Sequence, residues 1–216
     1  MKRIFEFSAA LFLIMLFSPL MIFIAAILLL TSEHRIFYFS NRVGQNKKIF
    51  KMVKFSTMQK NSHHTGTLEI TLKNDPRILP MGRFLRNTKI DELPQLLNIL
   101  KGEMGFVGPR PLPPRHFNYY TPQQQEMIAM MKPGITGIGS IFYRDEGRLL
   151  AQSNLPAEKC YEQVLTPKKA ALEKWYFENR STWTDLKILF CTLYEIFFRK
   201  NLIFHKLFKG LPVIEP

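Results

Sequence analysis

The sequence predicts an α+β, predominantly helical chain held on a membrane by its N-terminus. Three features carry that expectation: an apolar run from Phe7 to Leu30, two short aromatic and β-branched runs around Gly44, and helix punctuation through most of the remainder. A chain of 216 residues can bury one sizeable core. Its two cysteines, Cys160 and Cys191, lie far apart in no metal or redox spacing, so they read as apolar thiols of a reducing compartment.

Only Ser8, Ser18 and Pro19 interrupt the apolar run, and its 24 residues are enough to cross a bilayer. A cleaved signal peptide fits less well, because Ala25-Ala26 is followed by Ile27-Leu28-Leu29-Leu30 instead of a polar start. Ser18-Pro19 divides the run into halves of 11 residues, each about 16 Å long as a helix and roughly half of a hydrocarbon core. Proline in a helix interior costs about 3 kcal/mol. The division predicts a re-entrant, Ser-Pro broken helix that enters and leaves by one face, a monotopic attachment. Lys2 and Arg3 precede the run and Arg35, Arg42, Lys47 and Lys48 follow it, which suits two ends on the cytoplasmic side. A proline-kinked spanning helix is the competing form.

Ile36 to Phe39 and Ile49 to Phe55 predict a small β-hairpin, with Gly44-Gln45-Asn46 in its connection. Residues 60 to 75 read as loop, and His63-His64 there has no third ligand at metal spacing and no assigned role. Thr182 and Asp185 predict a capping box, followed by Leu186, Leu189, Phe190, Leu193 and Phe197 at helical spacing. Beyond them Arg199, Lys200, Lys206 and Lys209 alternate with Leu202, Ile203, Phe204, Leu207 and Phe208, the pattern of an amphipathic segment on a membrane surface. A core helix with a basic tail competes for residues 185 to 198. Pro156 to Leu165 and Thr166-Pro167 to Arg180 read as capped helices with packing roles. The expected organisation is a membrane helix in 1–33, a cytoplasmic unit in 34–180 and membrane-interface helices in 181–216.

Lys and Arg number 30 against 17 Asp and Glu, a formal charge of +13, which calls for an anionic partner. Lipid, nucleic acid and phosphorylated substrates all qualify. A nucleic acid is set aside, because no reading motif or base-stacking aromatic cluster accompanies the charge.

The segment Arg86 to Gly102 concentrates the chemistry. Thr88 reads as an N-cap, Pro94 lies near a helix start, and Lys101-Gly102 closes the end. Asp91 then completes a capping box with Thr88, or stands in a first turn whose free amides favour bound phosphate. Spacing alone favours the capping box. Downstream, Arg110 stands between Pro109 and Pro111 after Gly108, so its guanidinium is presented at low entropic cost to bind phosphate bidentately.

These segments together resemble the monotopic phosphoglycosyl transferases, bacterial sugar transferases that act on undecaprenyl phosphate. The resemblance covers most of the chain: Ser18-Pro19, Arg42-Val43-Gly44, Lys54-Phe55-Ser56-Thr57-Met58, Asp75-Pro76-Arg77 and Gly82 to Arg86. It continues through Asp91 to Leu96, Asn98 to Gly102, Val107 to Pro111 and Lys132 to Gly137. It implies a site at the membrane boundary on the cytoplasmic face of a bacterial inner membrane. There Asp91 attacks the β-phosphate of a UDP-sugar, expels UMP and passes the sugar phosphate to undecaprenyl phosphate by a ping-pong route. It also implies Mg²⁺ held with the help of Glu92, and phosphate-binding roles for Lys54, Arg86 and Arg110. Membrane lipids are partners on this reading, and a homo-oligomer is compatible with it. The chain departs from the family pattern at Ser40, where Gln is usual, at Ser56, where Arg is usual, and at Ile138 to Ile141 in place of a Trp-Ala-Gln run. A non-catalytic membrane-surface scaffold of a glycan-assembly complex is the alternative.

Overall fold

The computed structural model describes residues 2–31, 34–60, 62, 70–72, 75–198 and 207–212. The His63-His64 pair and the tail cations Arg199, Lys200 and Lys206 lie outside the described residues. Helix α1 spans Lys2–Thr31. The expected hairpin follows, β1 (Phe37–Val43) pairing antiparallel with β2 (Ile49–Phe55) from Phe37↔Phe55 to Val43↔Ile49. Its turn reverses through Asn46 and Lys47, both in the left-handed region at φ 54° and 58°. Next come α2 (Pro80–Thr88), a 3₁₀ helix (Ile90–Gln95) and α3 (Leu96–Lys101). Gly102 closes α3 at φ 87°, as its position after Lys101 predicts.

A second sheet has only two short strands, β3 (Gly105–Val107) and β4 (Gly134–Thr136), paired in parallel. Helices α4 (Pro114–Phe117) and α5 (Pro122–Ala129) make the crossover. The chain continues through α6 (Ile138–Phe142), α7 (Glu146–Gln152) and α8 (Ala157–Cys160). A π-helical turn (Tyr161–Leu165) leads into α9 (Thr166–Asn179), and α10 spans Thr182–Phe198. The largest apolar cluster gathers Ile138, Ile141, Leu172 and Ile188 from α6, α9 and α10. A second joins Ala10 to Phe50, Met52, Ile99 and Met104, and a third joins Ile24 and Leu28 to Phe55 and Leu85. Apolar packing therefore runs across the boundaries expected near residues 33 and 180.

The expected break in α1 is absent, since Lys2–Thr31 is one helix with Pro19 inside it. Pro19 cannot donate to the carbonyl of Met15, four residues earlier. The Ser18 hydroxyl donates to that same oxygen at 2.9 Å, so no acceptor is stranded and the helix continues. The helix is long and apolar enough to cross a membrane, and 11 % of its apolar window is covered by protein. Its two ends nevertheless dock on one body. Arg3 donates to the terminal carbonyls of α3, Ile99 O and Leu100 O, at 2.5 and 2.6 Å, and Lys2 pairs with Asp185 at 2.8 Å. A cation on the carbonyl end of a helix satisfies its orphan acceptors and its dipole together.

Two C-terminal expectations also change. Ser181, not Thr182, caps α10, its Oγ accepting from Thr184 N at 3.1 Å. Asp185 is drawn away from any capping box by Lys2 and by the Tyr176 hydroxyl at 2.6 Å. Leu207 and Phe208 belong to the core instead of a lipid-facing surface: Phe208 is buried edge-on against Trp175, whose indole donates to Lys209 O at 3.1 Å. Cys160 and Cys191 are buried, unbridged thiols.

Helix α2 lies so close to the strand exit that a Cβ on Gly82 would sit 2.1 Å from the Thr57 carbonyl oxygen. Gly82→Ala is expected to lower stability by roughly 1–3 kcal/mol through that forced separation. A thermal unfolding curve in detergent checks this, and superposition on the wild type would contradict the packing.

Candidate active site

Three elements deliver the expected residues to one place. Strand β2 has Phe50, Met52 and Lys54 on one face, turned toward the 3₁₀ helix that carries Asp91 and Glu92. Asn98 fixes the two together: its Oδ1 accepts from Val53 N at 3.1 Å and its Nδ2 donates to Lys51 O at 2.8 Å and to Glu103 Oε2 at 2.7 Å. The reversal between α2 and the 3₁₀ helix falls on Lys89, left-handed at φ 60°. Thr88 therefore ends α2, its hydroxyl donating to Phe84 O and Leu85 O, and the capping box with Asp91 does not form. Asp91 is released from a structural role.

Glu92 is the hub. Its Oε1 accepts from Lys54 Nζ at 2.8 Å and from Arg110 Nη2 at 3.0 Å. Burial works against its ionisation, but the fields of Lys54 and Arg110 outweigh it and hold the carboxyl well below the usual range. Arg110 reaches Glu92 from the loop after β3. Gly108 and Gly134 let that loop close on β4, for a Cβ on Gly108 would meet the Lys132 carbonyl oxygen at 2.2 Å. Arg86, on the last turn of α2, donates from Nε to Thr57 Oγ1 at 2.8 Å. Burial lowers the Lys54 pKa to about 8, with Arg110 adding to the fall and Glu92 opposing it.

Asp91 differs from its neighbour. Only 5 % exposed, it has an Oδ1 with no hydrogen-bond partner among the described residues. Burial raises its pKa, the Glu92 charge adds to this, and Lys54, Lys89 and Arg86 pull the other way without cancelling it. Two adjacent carboxyls are thus driven apart in basicity. Asp91, Glu92, Lys54, Arg86 and Arg110 all line one cavity of about 870 Å³, toward the upper end of the roughly 300–1,000 Å³ usual for ligand sites. Phe5, Leu13 and Phe17 of α1 and Leu189 and Leu193 of α10 form its apolar wall. Ser18 and Pro19 are not among its lining residues.

Among the described residues no three His, Cys, Asp or Glu side chains come together to cage a metal. Magnesium needs less, commonly one or two carboxylates with water and substrate phosphates completing the shell. The bare Asp91 oxygen and the adjoining Glu92 carboxylate fit a cation that arrives with a diphosphate.

Sequence reasoning missed several partners. Thr57, which anchors Arg86, and Asn98 stood inside quoted motifs without a role. The cavity also has a polar arm built from α6, α7 and α9, including Ser140, Glu146, Lys169 and Glu173; only packing was expected of α9, and the stretch from Ile138 stood out only as a departure from the family pattern. These residues have no common motif, so spacing carried no signal for them. Ser40, one of the departures, accepts from Arg42 Nε at 3.1 Å.

Fold and site together define a cavity lined by Lys54, Arg86 and Arg110 beside an apolar surface. The profile of the family described as bacterial sugar transferase matches residues 1–199, and the chain belongs to that family. It is 35 % identical over 196 residues to the uncharacterized sugar transferase EpsL of Bacillus subtilis (strain 168), spanning 91 % of this chain and 87 % of that protein. It is 32 % identical over 206 residues to the undecaprenyl-phosphate galactose phosphotransferase of Salmonella typhimurium, spanning 89 % of this chain and 39 % of that one. It is also 32 % identical over 203 residues to the UDP-glucose:undecaprenyl-phosphate glucose-1-phosphate transferase of Klebsiella pneumoniae, spanning 93 % and 41 %. The chain therefore spans less than half the length of the latter two relatives.

The Glu92 charge raises the Lys54 pKa against burial, so its removal must lower it. Isotope-labelled lysine followed by NMR is expected to titrate at about 8 for Lys54 and at a lower pH in Glu92→Gln. An upward movement would contradict the ion pair.

Proposed function

We propose that the protein transfers a sugar 1-phosphate from a UDP-sugar to undecaprenyl phosphate, with Asp91 as nucleophile. The observation that carries this is the unpartnered, buried Asp91 oxygen in a cavity ringed by Lys54, Arg86 and Arg110. Family membership and the names of the Salmonella and Klebsiella relatives support donor and acceptor classes. A scaffold gives no account of that stranded oxygen.

In the first step an Asp91 carboxylate oxygen bonds to the β-phosphorus while the bond from that phosphorus to the oxygen bridging the α-phosphate breaks. UMP leaves with the bond electrons, and the sugar phosphate remains as a mixed anhydride on Asp91. In the second, a phosphate oxygen of the lipid acceptor bonds to the same phosphorus and the Asp91 carboxylate departs. Burial strips water from Asp91 and makes it the better nucleophile once ionised, and Lys54, Lys89 and Arg86 favour that ionised form. Arg110 and Arg86 supply fixed guanidinium charge for non-bridging oxygens, the main requirement of phosphoryl transfer. Glu92, with the bare Asp91 oxygen beside it, would hold Mg²⁺, which when bound would supply further positive charge against the diphosphate. The apolar wall between α1 and α10 lets a lipid-borne phosphate approach from the membrane side.

Attachment is one-sided on this reading. Exposed Phe12, Met15, Leu16, Ile22 and Phe23 of α1 and Trp183, Leu186, Phe190 and Leu193 of α10 face lipid on the cytoplasmic side of the inner membrane. The contacts of Lys2 and Arg3 with the body that carries the cavity support it, because a spanning helix would put them on the far side.

Incubation with sugar-labelled UDP-sugar and no acceptor is expected to label the protein covalently, with labelling reduced at least about a thousandfold in Asp91→Asn. Equal labelling of both proteins would remove Asp91 from the mechanism. Single cysteines in Lys2→Cys and Thr31→Cys are expected to react with an impermeant maleimide in inverted vesicles, and neither in spheroplasts. Labelling from opposite sides would overturn the one-sided attachment.

A further inference from the structure

The cavity does not end at the phosphate-binding cations. Past Arg110, whose guanidinium feels the charge of Glu146, it continues into an arm between α6, α7, α9 and α10. The ionic groups of this arm are already balanced. Lys169 is bonded to Glu146 and to the Tyr161 hydroxyl and sits 4.7 Å over the Tyr161 ring, while Arg144 pairs with Glu195 at 3.6 Å. A second phosphate therefore finds no uncommitted cation there.

Hydrogen-bonding capacity is what the arm has in excess. Ser140 Oγ, Tyr143 Oη, Glu173 Oε2 and Glu195 Oε1 are all buried without a hydrogen-bond partner among the described residues, and all four residues line this cavity. A buried polar group left unpaired costs about 1–3 kcal/mol, so four in one chamber require something that both donates and accepts. Glu173 is 5 % exposed, and its other oxygen is tied to the Gly139 amide, which fixes the direction of the carboxyl. Burial pushes this carboxyl up to about 7, so near neutrality it both gives and takes a hydrogen bond. Tyr161, stacked on His116 at 4.4 Å, adds a rigid ring to the wall.

Resting on the transferase reading above, we propose that this arm is the subsite for the sugar ring of the donor, and that Ser140, Tyr143 and Glu173 select among sugars by pairing with their ring hydroxyls. The sugar is bonded directly to the β-phosphate, so holding that phosphate near Asp91 and Arg110 directs the ring into the adjoining polar arm. A hydroxyl can donate and accept at once, which matches two hydroxyl side chains and a half-protonated carboxyl better than an anion does.

The test titrates UMP and a panel of UDP-sugars differing at single ring hydroxyls against the full chain in lipid nanodiscs. Wild type is compared with Glu173→Gln, Tyr143→Phe and Ser140→Ala. The relative affinities of the UDP-sugars are expected to change by about tenfold or more in Glu173→Gln and Tyr143→Phe, with UMP affinity kept within about twofold. A fall in UMP affinity in step with the UDP-sugars would place the uridine in the arm and overturn the proposal. Unchanged relative affinities would leave ordered water as its occupant, and an equal loss for every sugar with a lowered melting temperature would mean packing alone. For these titrations every protein also carries Asp91→Asn, so that the donor binds without being consumed in the first step, and UMP release is measured separately with Asp91 intact. A wild type that discriminates among UDP-sugars but releases no UMP would defeat the transferase reading and spare the subsite, whereas turnover with unchanged sugar preference would do the reverse.

Discussion

Asp91 and Glu92 are consecutive acids, both under a tenth exposed, on a 3₁₀ helix of six residues, and the surrounding architecture follows from the need to make that tolerable. A buried carboxylate is costly unless it is paired and hydrogen-bonded. Glu92 meets the condition through one oxygen shared by Lys54 and Arg110, which obliges β2 and the loop after β3 to converge on it. Asp91 meets it only in part. The same surroundings that secure one acid leave an oxygen of the other bare, and this contrast gives the pair distinct chemical capacities. Hairpin and parallel strand pair are brought together at this point, while α2 joins the hairpin through Leu85 against Phe55.

The apolar clusters complete the arrangement. Helix α1 touches the hairpin at two levels, Ala10 against Phe50 and Met52 and Leu28 against Phe55, while most of its surface stays bare. It is at once a packing element and an exposed apolar surface. Helix α10 does the same with Ile188 inward and Phe190 outward. The cavity wall passes from one helix to the other, so the polar chemistry and the apolar exterior are separated by little more than the thickness of a helix.

Much of the geometry around the candidate site was legible in the sequence because its signals are local. The hairpin is two alternating runs around a turn, Gly102 marks a helix end, and proline on both sides of Arg110 fixes its backbone. Local reasoning failed where a distant group claimed a residue first. Thr88 and Asp91 have capping-box spacing, yet the turn at Lys89 gives Thr88 to α2. Thr182 and Asp185 have it too, yet Lys2, 183 residues away, and Tyr176 take the carboxylate. Pro19 looked like a break because the rule for proline counts the missing donor and not the neighbouring serine that replaces it. The polar arm was illegible for another reason: Ser140 and Tyr143 belong to α6 and its end, Lys169 and Glu173 to α9, and only tertiary packing puts these two helices around one space.

The hold of Arg3 on the end of α3 bears on how the chain is made. Helix α1 is synthesised before its dock at Ile99, which is encoded 96 residues later. At about 5–20 residues per second, roughly 5–20 s pass before that dock exists. During this interval the apolar segment lacks the contacts that hold its leading end. Until the carbonyls of α3 have been synthesised, Arg3 has nothing to hold, and the leading end of the helix is fixed in place only as this later part of the chain is made.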